Sequence, residues 1–289
     1  MNWRNDWGLR GRMILTMTLL LVVYIIFVSV IWWSQLFILL VPMIGFILLQ
    51  FSVSDRLALY SMGATRVSKD EYPEIHTMVN RLSQQANVPK PSVAVADSRV
   101  PNAFAAGRSS DNATVAVTTG LLQLLTEKEL SGVIAHEIAH VKNRDVMVMT
   151  IASFLSTVAF MIVRLGVFFT GGHERRGDGR VFIAVIASLA VWIVSYVLIR
   201  SLSRYREYAA DEGGVAITGN PSALASALMK LDNKIGSVPN RDLREQSEMN
   251  AFFIIPVNSD LIGRLFSTHP STEQRVDRLR EIEVELEKQ

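Results

Sequence analysis

The chain has 289 residues, 49% hydrophobic and only 19% charged, with a mean hydropathy of +0.27; soluble domains carry about 25% charge, which argues against an ordinary water-soluble globule. Lys+Arg 29 against Asp+Glu 27 leaves a formal net charge of +2, no basic excess for a phosphate backbone, so nucleic acid is not expected as a partner. The cysteine count is 0, which excludes a disulfide scaffold, a thiolate nucleophile and any metal site built on sulfur; a metal would have to be held by histidine and carboxylate.

Residues 13–31 and 32–54 carry no charge, and each is long enough for a hydrocarbon core, which needs roughly 20 apolar residues. The polar point between them is Trp32, Trp33, Ser34 and Gln35, where paired tryptophans favour the headgroup interface, so a helical hairpin is expected over 1–54. A cleaved signal peptide would have an apolar run of only about 7 to 15 residues.

A polar stretch follows. Asp70 to Ala86 has acids in its first turn and Ile75, Met78, Val79 and Leu82 at helical spacing, which predicts a helix. Ser92–Ala96, Ala103–Ala106 and Thr114–Val117 read as short strands separated by turn-forming DSRVPN and RSSDN, the second and third as a hairpin. Thr126 and Glu129 form a capping-box pattern that opens another helix. That helix carries His136-Glu137-Ile138-Ala139-His140. Residues four apart share a helical face, so two imidazoles converge on one point, and Glu137 can reach the open side of a metal held there. Two buried histidines satisfied by neighbours are the competing reading.

Residues 146–172, broken only by Arg164, and 181–199, without charge, are two further span candidates. A buried core hairpin is the alternative for this pair, because Arg164 at mid-bilayer would cost at least about 2.5 kcal/mol. Arg and Lys cluster before the first segment (Arg4, Arg10, Arg12), after the second (Arg56, Arg66, Lys69), before the third (Lys142, Arg144) and after the fourth (Arg200, Arg204, Arg206). All these flanks belong on one side, the cytoplasm, and only the loop with Arg175, Arg176 and Arg180 dissents.

Catalytic zinc takes three protein ligands and leaves a position for water. A glycine and a histidine three and six residues after His140 would mark one peptidase class, but Asn143 and Val146 stand there. The other solution is a glutamate on a later helix. Glu207, followed four residues on by Asp211, provides it, with Asp211 placed to accept the second N–H of a ligating histidine. His269, fixed by Pro270, is a candidate donor to the oxyanion of a tetrahedral intermediate. His76 and His173 read as solvated residues. Ser271 to Lys288 is a charged helix with Val276, Leu279, Ile282 and Leu286 on one face.

HEIAH, EYAAD (207–211), PNAFAAG (101–107) and STHPSTEQR (267–275), with the apolar hairpin, resemble the HtpX family of membrane zinc endopeptidases, relatives of the CAAX prenyl endoproteases. The resemblance covers almost the whole chain in order. It implies a mainly α integral membrane protein with a cytoplasmic α+β gluzincin-type domain and a small sheet, made of parts 55–145 and 200–289 between helix pairs 1–54 and 146–199. It also implies one zinc ion per chain on His136, His140 and Glu207, with Glu137 as catalytic base. By the same resemblance Asn102 borders the cleft on an edge strand where substrate adds, and His269 and Arg275 belong to the active-site surroundings. The implied activity is a zinc metalloendopeptidase of the cell membrane, acting on misfolded membrane proteins under stress. A prenyl-protein processing protease and an inactive membrane chaperone are the alternatives.

Overall fold

In the computed structural model of the protein, residues 7–33, 40–170, 179–236 and 269–288 are described. The elements run α1 (Trp7–Trp33), α2 (Leu40–Ser61), β1 (Ala64–Arg66), α3 (Pro73–Ala86), β2 (Ser92–Ala96), β3 (Ala103–Ala106) and β4 (Thr114–Thr118). After these come α4 (Thr119–Leu124), α5 (Glu127–Asn143), α6 (Asp145–Thr170), α7 (Gly179–Thr218), α8 (Pro221–Gly236) and α9 (Thr272–Glu287). The chain divides into two compact units: the described residues of Val53–Met147 and Arg204–Gln289 in one, and Trp7–Ser52 with Val148–Ser203 in the other.

The first unit is built on a four-stranded mixed sheet of order β1-β2-β4-β3. β2 and β4 are parallel, with Ser92 opposite Thr114; β1 and β3 flank them antiparallel, with Ala64 opposite Ala96 and Ala103 opposite Val117. The strands read as nearly continuous apolar runs because both faces are covered. Val93, Val95, Val115 and Val117 enter the main core with α3, α5 and α8 residues. Ala94, Ala96, Phe104, Ala106 and Ala116 pack on the other face with Ala58 and Leu59 from the end of α2.

α5 is the central helix and is buried on nearly every side from Glu129 to Val141. Its start is fixed by the expected capping box, in which the Thr126 amide donates to Glu129 Oε2 at 2.9 Å. The same carboxylate accepts from Ser226 (2.6 Å) and Lys230 (2.8 Å), which ties α8 to α5.

The structure departs from the sequence reading, or adds to it, at several elements. α3 begins at Pro73, not Asp70, because a residue before proline is driven out of the helical region, and Tyr72 lies at φ −134°. β1, α4 and α8 carry no expectation in the sequence reading. β1 is only three residues long, whereas α8 has readable signals: Asn220 caps it by accepting from the Ala223 amide at 3.0 Å, and Pro221 stands at its start. Trp32 and Trp33 continue α1, while Ser34, Gln35, His173, Arg175 and Arg176 lie outside the described residues.

The second unit is helical. Among the described residues, three helices are long and apolar enough to cross a membrane, spanning Trp7–Trp33, Asp145–Arg164 and Phe182–Thr218. α2 is described from Leu40 onward. Leu20, Phe27, Ile31, Ala152, Val158, Ile162 and Val191 form the core of this unit, and the Tyr24 hydroxyl donates to the Ala152 carbonyl. Ile14, Leu15, Leu21, Ile25, Phe182, Ile186 and Ile193 point outward, an apolar exterior that fits lipid better than water.

Burial alone would push the Glu129 carboxyl up, but donation from Lys230, Ser226 and Thr126 outweighs it and holds it at about 2, against an ordinary 4.5. Its contribution to stability is therefore complete above pH 4.5 and lost as pH falls from there towards about 2. Glu129→Gln should lower stability at neutral pH by about 1–3 kcal/mol, and thermal unfolding in detergent should show a shallower acid limb. An acid limb as steep as the parent's would rule this out.

Candidate metal centre

Two helices build the site. α5 presents His136 and His140 one turn apart, with Glu137 between them, and α7 presents Glu207 and Asp211 one turn apart. The helices approach closely at Gly214, where a Cβ would stand 3.2 Å from the His136 amide nitrogen and 3.3 Å from its Cα. Only a residue without a side chain fits there comfortably, and that approach brings the carboxylates of α7 to the imidazoles of α5.

His136 Nε2 and His140 Nε2 are 3.1 Å apart. Glu207 closes the triangle, Oε2 3.6 Å from His136 Nε2 and Oε1 3.7 Å from His140 Nε2. A tetrahedral ion with bonds of about 2.0–2.1 Å requires ligand–ligand edges of about 3.3 Å, close to this triangle. Glu207 Oε2 is buried at this triangle. Four buried carboxylates, Glu137, Asp145, Glu207 and Asp211, face two buried guanidinium groups, Arg206 and Arg275. With both imidazoles neutral, as ligation requires, two negative charges are left over, which a divalent cation on His136, His140 and Glu207 would balance. The donor set, its spacing and its charge all fit a metal ion.

The outer contacts fix the imidazoles. His136 Nδ1 lies 2.9 Å from Asp211 Oδ1, and Arg275 grips that carboxylate through Nε (2.9 Å) and Nη2 (2.6 Å). Arg275 Nη1 is also 3.5 Å from Glu207 Oε2. His140 Nδ1 lies 2.5 Å from Asp145 Oδ2, and Arg206 pairs with Asp145 Oδ1. With each Nδ1 turned to a carboxylate, each Nε2 is turned to the centre.

The protonation pattern follows. Burial disfavours the charged form of His136, but hydrogen bonds to Asp211 and Glu207 overcome it and hold the ring at about 9. Burial and the nearby His136 charge push His140 down to about 4. The Arg275 guanidinium stays charged despite its burial because Asp211 and Glu207 raise its pKa.

The residues singled out in the sequence are placed as follows. His136, His140, Glu207, Asp211 and Arg275 converge, Glu137 is buried beside them, and His269 Nδ1 lies 3.1 Å from Glu207 Oε1. Asn102 is buried just ahead of edge strand β3, its amide donating to Thr118 Oγ1 at 2.9 Å, and β3 packs against α5. Sequence reasoning missed Asp145, Gly214 and the part played by Arg206, which it counted among flanking charges.

The sequence pattern of peptidase family M48 matches residues 69–283. The chain belongs to peptidase family M48. "Protease HtpX homolog 2" of Methanosarcina acetivorans is 49% identical over 291 aligned positions, covering 98% of each chain. "Protease HtpX homolog" of Moorella thermoacetica is 48% identical, covering 98% of this chain and 97% of that one. A crystal structure of S. mikatae Ste24p shares the fold with a TM-score of 0.57 at 17% identity, over 89% of this chain and 62% of that one. This M48 member is accordingly a membrane metallopeptidase of HtpX type.

Gly214→Val would drive side-chain atoms into the His136 backbone. The variant should lose about 1–3 kcal/mol of stability and bind metal more weakly, read by thermal unfolding and metal titration; parent-like values in both would show that the approach at Gly214 is not needed.

Proposed function

We propose that the chain is a membrane-bound zinc endopeptidase whose catalytic unit faces the cytoplasm and hydrolyses peptide bonds of misfolded or damaged membrane proteins. The observation that carries this reading is the triangle of His136, His140 and Glu207 with Glu137 beside it on α5. The N-terminal hairpin 1–54 and the pair 146–199 would anchor a peptidase domain assembled from 55–145 and 200–289.

His136, His140 and Glu207 would hold the ion. Bound zinc would supply Lewis acidity for the scissile carbonyl and would bring the pKa of water towards about 7. Glu137 would take a proton from the attacking water and return it to the leaving amine. Water adds to the carbonyl carbon, the C–N bond breaks, and a carboxylate and an amine result. His269, with Nδ1 beside Glu207, steadies that ligand, and donation to a substrate oxyanion would fall to its Nε2. Arg275, almost fully buried against Asp211, supports the site from behind. Edge strand β3, opened by Asn102, offers backbone hydrogen bonding to an extended segment, which recognises shape more than sequence. Loose selectivity of this kind suits a peptidase of damaged proteins.

Detergent-purified full chain should carry about one zinc and cleave an unstructured reporter protein. Glu137→Gln should keep the zinc and lose at least about 10²-fold in rate. A chelator should abolish cleavage and added zinc restore it. Cleavage by Glu137→Gln at the parent's rate, or zinc binding without cleavage by the parent, would refute the peptidase mechanism, and the second result would favour a chaperone.

Orientation has a separate test, because the chain lacks cysteine. A single cysteine placed at exposed Gln85 should be labelled by an impermeant thiol reagent only once the cytoplasmic side is opened. Labelling of intact cells would reverse the topology.

A further inference from the structure

Each imidazole of the centre is backed by a carboxylate, and each carboxylate by an arginine. One series runs His136, Asp211, Arg275 and the other His140, Asp145, Arg206. We propose that Asp145 and Arg206 are a positioning pair for His140, the counterpart of Asp211 and Arg275 on His136. This rests on the reading of His140 as a metal ligand.

The backbone is arranged for that contact. In an unbroken helix, a residue five positions after His140 would lie about 140° around the axis. Here α5 ends at Asn143, Arg144 takes the left-handed conformation (φ 55°, ψ 42°), and α6 starts at Asp145. L side chains other than Asn and Asp seldom adopt that conformation. The interruption turns the Asp145 carboxylate back onto His140 Nδ1, at 2.5 Å. An unstrained continuation of α5 would have no such contact.

Arg206 completes the arrangement. It is 4% exposed, and a buried guanidinium needs a partner; it pairs with Asp145 through the carboxylate oxygen that His140 does not use. Arg206 also directly precedes Glu207 on α7. The helix that supplies the carboxylate of the metal triangle thus also holds the partner of His140, so the second and third donor groups are set against each other through one ion pair. The sharing of one Asp145 carboxylate between an imidazole and a guanidinium repeats what Asp211 does for His136.

The test uses the detergent-solubilised full chain, with zinc affinity measured by competition against a chromophoric chelator and with visible spectra of the cobalt-loaded protein. Asp145→Asn should weaken zinc binding by about 10–100-fold and alter the cobalt spectrum. Arg206→Gln should weaken it less, Arg206→Lys should recover part of the loss, and the double variant Asp145→Asn with Arg206→Gln should be no weaker than Asp145→Asn alone. Thermal unfolding in excess chelator separates a folding defect from a loss of metal binding. Parent affinity and spectrum in Asp145→Asn, with zinc lost in His140→Ala, would overturn the positioning pair and leave the ligand set standing. Zinc retained by His140→Ala would overturn both. If Asp145→Asn does not fold, Arg206→Gln decides: parent affinity and spectrum there reject the proposal.

Discussion

A buried charge has to be compensated where it stands, and this constraint shapes the catalytic unit. Four carboxylates and two arginines are buried around its candidate metal centre, and moving each from water costs several kcal/mol even after relaxation. Buried ion pairs of this kind add little or nothing to stability compared with well-packed apolar side chains. Arg275 is the clearest case, a guanidinium 1% exposed that is held by Asp211. Such a cluster makes sense as part of a site whose charge is completed by a cation. The apolar core around Val79, Leu121, Val133, Ile134, Ile138 and Leu228 has to supply the stability that the centre consumes.

The elements around the centre follow from that demand. α5 sits deep, with His136 fully and His140 partly buried, and packing it on nearly every side requires close approaches. Gly132 meets the backbone of Leu224 on α8 and Gly214 meets that of His136. The sheet contributes valines on the α5 side and alanines on the other, and β3, at an edge, lies against α5, which carries the candidate ligands. α9 is held by more than its apolar stripe. Arg275 and Arg278 bond Asp211 and Glu212 on α7, so the last helix of the chain provides the charge that steadies His136.

Much of this was legible in the sequence, and what was missed shares a physical cause. HEIAH and the pair Glu207 and Asp211 can be read because helical periodicity places residues four apart on one face. The capping box at Thr126, the β2, β3 and β4 strands and the apolar stripe of α9 are likewise local signals. Asp145 was visible only as a charge after the motif, since nothing local announces that Arg144, rather than a glycine or asparagine, adopts the left-handed turn. Arg206 looked like a flanking cation because its partner lies 61 positions earlier in the chain. Gly214 is one glycine of a GG pair in a helix, and its meaning depends on the His136 backbone beside it. Local patterns mark the donors; the groups that orient them are brought in by tertiary packing.

α7 shows how one element serves two solvents. Its 40 residues correspond to about 60 Å of helix at about 1.5 Å per residue, roughly twice the thickness of a hydrocarbon core. The sequence changes character accordingly. From Phe182 to Ile199 it carries no charge and exposes large apolar side chains, whereas from Arg200 to Glu212 it carries Arg200, Arg204, Arg206, Glu207, Asp211 and Glu212. A single uninterrupted helix therefore has an apolar half that meets the length requirement of a membrane span and a charged half that carries the carboxylates of the candidate metal centre. No break marks the change, because the backbone hydrogen bonds of a helix are satisfied internally in either solvent; only the side chains have to differ.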